Sequence, residues 1–280
     1  MRKTLEPSRR SILVAGVAFV AAPMILGRKA LAITPEEIKK RGKIIVGIQG
    51  DNPPWGFVNS SGVQEGFDAE VAALYAKDLD VKLEFVPLEV ANRIPALTAG
   101  RVDCLFATMA MFPDRAKAVQ FSKPYVANII VLIAPKATEI KTNADMGKLK
   151  AIAVPRASAQ DTQVTKNAPP GTNILRLDGD AAAIQAMLSG QVDAVGGNMF
   201  YKDKLNEARP GTFEDKLEFQ RVYNGICTRL HEKEINASIN AFIDKIKANG
   251  DLGKIHEKWM KRPLPTSFPE SIEGVPFVAS

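Results

Sequence analysis

Three arginines carry the sharpest chemistry in this sequence. Arg93, Arg115 and Arg156 each offer a planar, permanently charged fork of N–H donors, the group suited to grip both oxygens of a carboxylate. Groups for catalysis are scarce by comparison. General acid–base work needs a placed proton donor with a tuned pKa. The two histidines, His231 and His256, fall late in the chain without a motif neighbour, and both read as surface residues. No Ser-His-Asp or Cys-His order, Gly-rich phosphate loop or metal-ligand cluster stands out. Cys104 and Cys227 lie in apolar, strand-like stretches with neither a CxxC nor a metal spacing. They read either as a disulfide, if the chain is exported, or as two buried thiols. The inventory does not point to an enzyme, and it calls for no metal and no cofactor.

The beginning of the chain points outward. Ile12 to Leu26 is an apolar run of 15 residues behind Arg2, Lys3, Arg9 and Arg10, and Ala30-Leu31-Ala32 closes it. A basic start, a short apolar stretch and a small-x-small site form a secretory signal, cleaved near Ala32. The run is too short to span a bilayer comfortably, which takes roughly 20 apolar residues. Ser8-Arg9-Arg10-Ser11-Ile12-Leu13 resembles the twin-arginine variant. Six of the 37 Lys and Arg and one of the 31 Asp and Glu fall within residues 1–32. The remainder is therefore close to neutral, 31 basic against 30 acidic residues, and offers no electrostatic footprint for nucleic acid.

The elements that must position the arginines follow an α/β grammar. Strands are expected at Ile44–Ile48, Val81–Val86 and Val102–Ala107, with helices at 67–79 and Ile94–Ala99 between them. A second unit starts near Pro135, with strands at Ala151–Val154, Asn173–Leu177 and Val192–Val195. Its helices follow Arg156–Asp161 and span Asp180–Leu188. Leu97-Thr98-Ala99-Gly100-Arg101-Val102-Asp103 returns as Leu188-Ser189-Gly190-Gln191-Val192-Asp193, which suggests two units of similar build. A strand at Asn224–Leu230, a helix at Ile235–Asn249, a last helix through Trp259 and an extended, Pro-rich surface tail complete the chain.

Four segments together resemble family 3 of the extracellular solute-binding proteins, the polar amino-acid receptors of ABC importers. They are Pro53-Pro54-Trp55-Gly56-Phe57; Gly66-Phe67-Asp68; Asn92-Arg93-Ile94-Pro95-Ala96-Leu97 with Gly100-Arg101-Val102-Asp103; and Asp114-Arg115 with Phe121-Ser122-Lys123-Pro124-Tyr125. The resemblance covers roughly Lys43 to Met260. It implies the two-lobed periplasmic binding protein fold of type II, with two parallel or mixed sheets joined by two crossing segments. Lobe one would be 33–129 plus 225–280 and lobe two 130–224, closing on a ligand in the cleft by hinge motion.

By the same resemblance, Arg115 grips an α-carboxylate, and Arg93 either meets a side-chain carboxylate or braces a helix start. Thr108 and Ala110 match positions that supply backbone or hydroxyl contacts, and Ala110 has lost the hydroxyl often found there. Trp55 and Phe57 wall the cleft or belong to the core. The turn Arg156-Ala157-Ser158-Ala159 would seat an anion on backbone N–H groups at a helix start, with Ala157 in place of the usual glycine. Asn198 stands where many members carry an Asp for the ligand's ammonium, and Gln49 where some carry an acid. Asp51 or Asp161 would have to substitute, unless the ligand has no amine.

The expected function is that of a periplasmic, monomeric binding protein that delivers an acidic or other polar amino acid to an inner-membrane ABC permease. Receptors for a small amine-free carboxylate and periplasmic cyclohexadienyl dehydratases, which resemble the same family, are the alternatives.

Overall fold

The computed structural model describes residues 32–279, so all of the expected targeting segment except Ala32 lies outside the described residues. Thr34 opens the fold with a reciprocal cap. Its hydroxyl accepts from Glu37 N at 3.2 Å while the Glu37 carboxylate accepts from Thr34 N at 3.0 Å. Helix α1 (Pro35–Arg41) leads into β1 (Lys43–Gln49). A small antiparallel sheet of β2 (Asp51–Asn52), β3 (Gly56–Val58) and β4 (Gln64–Glu65) follows. Helix α2 (Phe67–Asp78) buries Phe67, Val71, Ala72 and Tyr75, the face that its apolar spacing predicts. β5 (Lys82–Leu88) lies parallel to β1, and α3 (Arg93–Thr98) returns the chain to β6 (Cys104–Leu105). β6 is shorter than the expected strand. Only its two middle residues ladder, to Val46 and Gly47 on one side and to Cys227 on the other.

Past the short helix α4 (Pro113–Ala116), β7 (Gln120–Pro135) runs the length of the molecule. The second unit is β8 (Ile152–Pro155), α5 (Ala159–Asn167), β9 (Ile174–Leu177), α6 (Asp180–Leu188), β10 (Ala194–Asn198) and α7 (Tyr201–Ala208). β11 (Phe213–Thr228) then returns antiparallel to β7, and α8 (Lys233–Ala248) and α9 (Asp251–Met260) pack back on the first unit. The strand expected at Asn224–Leu230 is the far end of β11.

The strand order β5-β1-β6-β11-β7-β10-β8-β9 makes one continuous, mixed ladder. Two separate sheets are not needed, because β7 and β11 serve both. β11 bonds to β6 at Cys227, near one end, and β7 bonds to β10 over Ile130–Ile133, near the other. Each end is covered by two apolar clusters, one on each face of the sheet. One cluster packs α2, α8 and α9 around Tyr75 and Phe242, and another packs α6 and α7 around Met187 and Leu205. Cys104 and Cys227 are both free thiols, and they belong to clusters on opposite faces of the sheet. The tail is extended as expected, but it is docked as well, with Val275 only 3% exposed and Pro276 O accepting from Gln120 Nε2 at 2.8 Å. No helix among the described residues is long and apolar enough to cross a membrane.

Candidate functional site

Where the two ends of the molecule meet across β7 and β11, they leave a cavity of about 310 Å³, its mouth included. Six of the sequence-derived candidates line it: Gln49, Arg93, Thr108, Ala110, Ser158 and Ala159. Four are delivered by a strand end or a helix start, where ligands of open α/β sheets collect, and Thr108 and Ala110 by the loop between β6 and α4. Gln49 closes β1, Arg93 opens α3, and Ser158 caps α5 by accepting from Asp161 N at 2.9 Å. That hydroxyl is thus spent on the helix, and Ala157 N donates to Asp161 Oδ2 at 3.2 Å. The expected anion seat shrinks to the first N–H groups of α5, which have no intrahelical partner.

The two arginines that matter are buried and short of negative charge. Arg93, 4% exposed, donates from Nε to Val90 O at 2.9 Å and from Nη1 to Ala107 O at 2.7 Å. Arg115, 7% exposed, donates to Ala110 O at 3.3 Å and across the cleft to Ala157 O at 3.0 Å. Among the described residues neither forms an ion pair with a carboxylate. Burial, and next the neighbouring charge of Arg115, bring Arg93 down to about 9, and burial also lowers Arg115. Carbonyl dipoles hold both in place without cancelling their charge. Arg115 does not line the cavity itself; it lies at the edge, bonded to residues that do or that adjoin those that do.

A carboxylate that the sequence reading did not single out faces the same space. Asp180, the first residue of α6 and 1% exposed, accepts from Gln49 Nε2 at 2.8 Å and from the Tyr201 hydroxyl. Tyr201 packs closely on Gly197, where any Cβ would collide with it. Burial first, then the charge of Asp51, raise the Asp180 carboxyl to about 7, against the pull of Tyr201, Arg93 and Gln49. Behind Thr108, Asp68 accepts from Tyr125 Oη at 2.5 Å and Thr108 N at 2.9 Å, and burial raises it to about 6 despite these donors.

Five expected site residues lie elsewhere. Trp55 is fully buried between Phe67 and Phe200, a core residue and not a cleft wall. Arg156 opens the turn after β8 with a side chain 54% exposed, set beside Asp178 and donating to Arg176 O at 3.2 Å. Asn198 does not line the cavity itself; it gives Nδ2 to Asn52 Oδ1, a lining residue, at 3.1 Å and accepts from Phe200 N at 2.9 Å. Asp51 caps the start of α6 from across the cleft, accepting from Ala181 N at 3.1 Å. Arg115 sits at the edge as described. His256, read as a surface residue, is 2% exposed, its Nδ1 facing Arg262 O at 2.9 Å and its ring edge-on to Phe67.

The lining residues missed from sequence are mostly amides. Asn128 and Asn224 come from β7 and β11, and Asn52 and Gln160 from the two sides. An Asn inside the apolar run Tyr125–Ala134 was the available signal. Asn224 is 1% exposed, and both polar atoms of its side chain lack a protein partner. Among the described residues no group of His, Cys, Asp and Glu is arranged to hold a metal ion.

Residues 44–262 match the sequence profile of the bacterial extracellular solute-binding proteins, family 3. The ABC transporter glutamine-binding protein GlnH of Bacillus subtilis (strain 168) is 31% identical over 229 residues, 80% of this chain and 83% of that one. A solved ancestral arginine-binding protein bound to arginine is 32% identical with a TM-score of 0.74, covering 78% of this chain and 98% of its own. The ancestral amino acid-binding protein AncCDT-1, a precursor of cyclohexadienyl dehydratase, is 29% identical with the same score, over 80% and 98%.

Proposed function

We propose that this chain, which belongs to the bacterial extracellular solute-binding proteins of family 3, captures a polar amino acid in its cleft and delivers it to an inner-membrane ABC permease. One observation carries the reading: Arg93 and Arg115 are buried at the cleft, bonded to carbonyls and without a carboxylate partner. A buried cation is costly until an anion joins it, and a ligand carboxylate completes both forks. Glutamine and arginine, named for two relatives, share the α-amino-acid head and differ in side chain. The amide-rich wall suits a polar side chain, whether neutral or acidic.

Residues 33–129 plus 225–280 and residues 130–224 act as two lobes that hinge where β7 and β11 cross. The protein is exported through residues 1–32, by a twin-arginine route, and works as a periplasmic monomer. The non-enzymatic reading is supported by the relatives, which are named as binding proteins.

The test is thermal-shift binding on the mature chain stripped of ligand. The panel holds the twenty amino acids, amine-free mono- and dicarboxylates, and prephenate. A polar amino acid should shift the transition, and Arg115→Ala and Arg93→Ala should each weaken binding about thirtyfold, the worth of a buried charge-assisted pair. Unchanged affinity in both variants would overturn the assignment of the cleft, and turnover of prephenate would overturn the non-enzymatic reading.

A further inference from the structure

We infer that Asp180 receives the ligand's amino group, so that this cleft selects an amine-bearing acid even though Asn198 brings no charge. The inference rests on the cleft being the ligand site. Asp180 lines the cavity that Arg93 also lines, which places a carboxylate and a guanidinium around one small volume. That is the charge pattern of a zwitterion. The other acids near the cleft are already engaged. Asp51 caps α6 through Ala181 N, Asp161 pairs with Arg176 Nε at 2.9 Å, and Asp68 is closed in by Tyr125 and Thr108. None of the three lines the cavity.

Asp180 has no cation in ion-pair contact among the described residues, and its two side-chain partners, Gln49 and Tyr201, are neutral donors. The Asn224 amide, buried in the same wall without a protein partner, is a second polar group that a bound molecule would satisfy. An amine-free dicarboxylate would instead set a negative charge against Asp180.

The two ligand classes demand opposite protonation of Asp180. The groups facing it are the Asp51 carboxylate, the Arg93 guanidinium, the Tyr201 hydroxyl and the Gln49 amide. An ammonium needs the ionised carboxylate, so affinity for an amino acid falls as Asp180 is protonated. A carboxylate ligand gains from the protonated form.

Isothermal titration calorimetry on the mature chain decides the matter with two probe pairs: L-glutamine with glutaramate, and L-glutamate with glutarate. We expect at least one amino acid to bind about thirtyfold or more tightly than its amine-free partner. Asp180→Asn should reduce that ratio to near one. In the unmodified protein, affinity for that amino acid should drop about tenfold or more between pH 8 and pH 5.5.

The ratio surviving in Asp180→Asn, an amine-free acid binding as well as its partner, or affinity rising with acid would each overturn the role of Asp180. Silence from all four probes, or affinities unmoved by Arg115→Ala, would instead remove the cleft assignment on which it rests.

Discussion

Two residues beside the cleft hold a backbone conformation that L-amino acids avoid. Thr108 has φ 53° and Ala157 φ 58°. For Thr108 the reason is visible: this geometry turns its N–H onto Asp68. Ala157 is pinned at both ends, with its N–H on Asp161 and its carbonyl on Arg115. A left-handed alanine costs about 1–2 kcal/mol, while glycine's extra freedom in the unfolded chain costs about 0.4–1 kcal/mol. Ala157→Gly should therefore leave the protein as stable as before or up to about 1.5 kcal/mol more stable. Ala159→Gly, two residues on in α5, should lose about 0.5–1 kcal/mol. Urea midpoints of the two variants provide the check, and an equal loss in both would mean that Ala157 stores no strain. The position was noticed in the sequence because a glycine is usual there. That its carbonyl would meet Arg115 was not readable, since the contact joins residues 42 apart in the chain.

At the scale of elements, helices were the legible part. Asp180–Leu188 was placed as it stands, and the apolar spacing of Phe67, Val71 and Tyr75 set α2 on its correct face. The long strands were not legible. β7 is buried along nearly its whole length, so its sequence lacks the alternation that marks a strand with one wet face. β11 does alternate over much of its length, but register shifts between Asp215 and Cys227 break the pattern. For that reason the amides of the cleft floor went unseen, because Asn128 and Asn224 are site residues only once β7 and β11 are known to cross there.

The tail was equally opaque: four prolines conceal a docked strap. Asn240 Nδ2 donates to Phe277 O at 2.8 Å, Ala279 N to Asn236 Oδ1 at 3.1 Å, and Gly274 packs on Pro113 at the start of the helix that carries Arg115. Removing residues 266–280 gives up the burial of Val275 and these bonds, less the ordering entropy of the strap. The loss should be about 2 kcal/mol in denaturant unfolding, with weaker ligand binding through Arg115. An unchanged midpoint would show that the strap is ornamental.

Taken whole, the molecule is held shut by contacts of its own. Gln49 reaches Asp180, Asn198 reaches Asn52, Asp51 caps α6, and Arg115 holds Ala157 O, all across the cleft. The fold buries two acids, Asp68 within the first unit and Asp180 at the cleft, whose carboxyls rise from 3.8 to about 6 and about 7. Between pH 4 and pH 7 the folded protein therefore holds protons that the unfolded chain has released. The folded state binds more protons across that window, so stability falls as pH rises through it. From pH 5.5 to pH 7.5 the two groups together cost about 2–3 kcal/mol. His256 works against them, since burial lowers its pKa and the unfolded chain takes up a proton there as pH falls. It offsets part of that difference over the same span. The ligand-free protein should thus be about 1–2 kcal/mol more stable at pH 5.5 than at pH 7.5, and Asp180→Asn should remove most of that slope. Denaturant unfolding at the two pH values measures it. A ligand-free protein more stable at pH 7.5 would mean that Asp180 and Asp68 are ionised in the closed fold, with Arg93 and Arg115 already balanced from within.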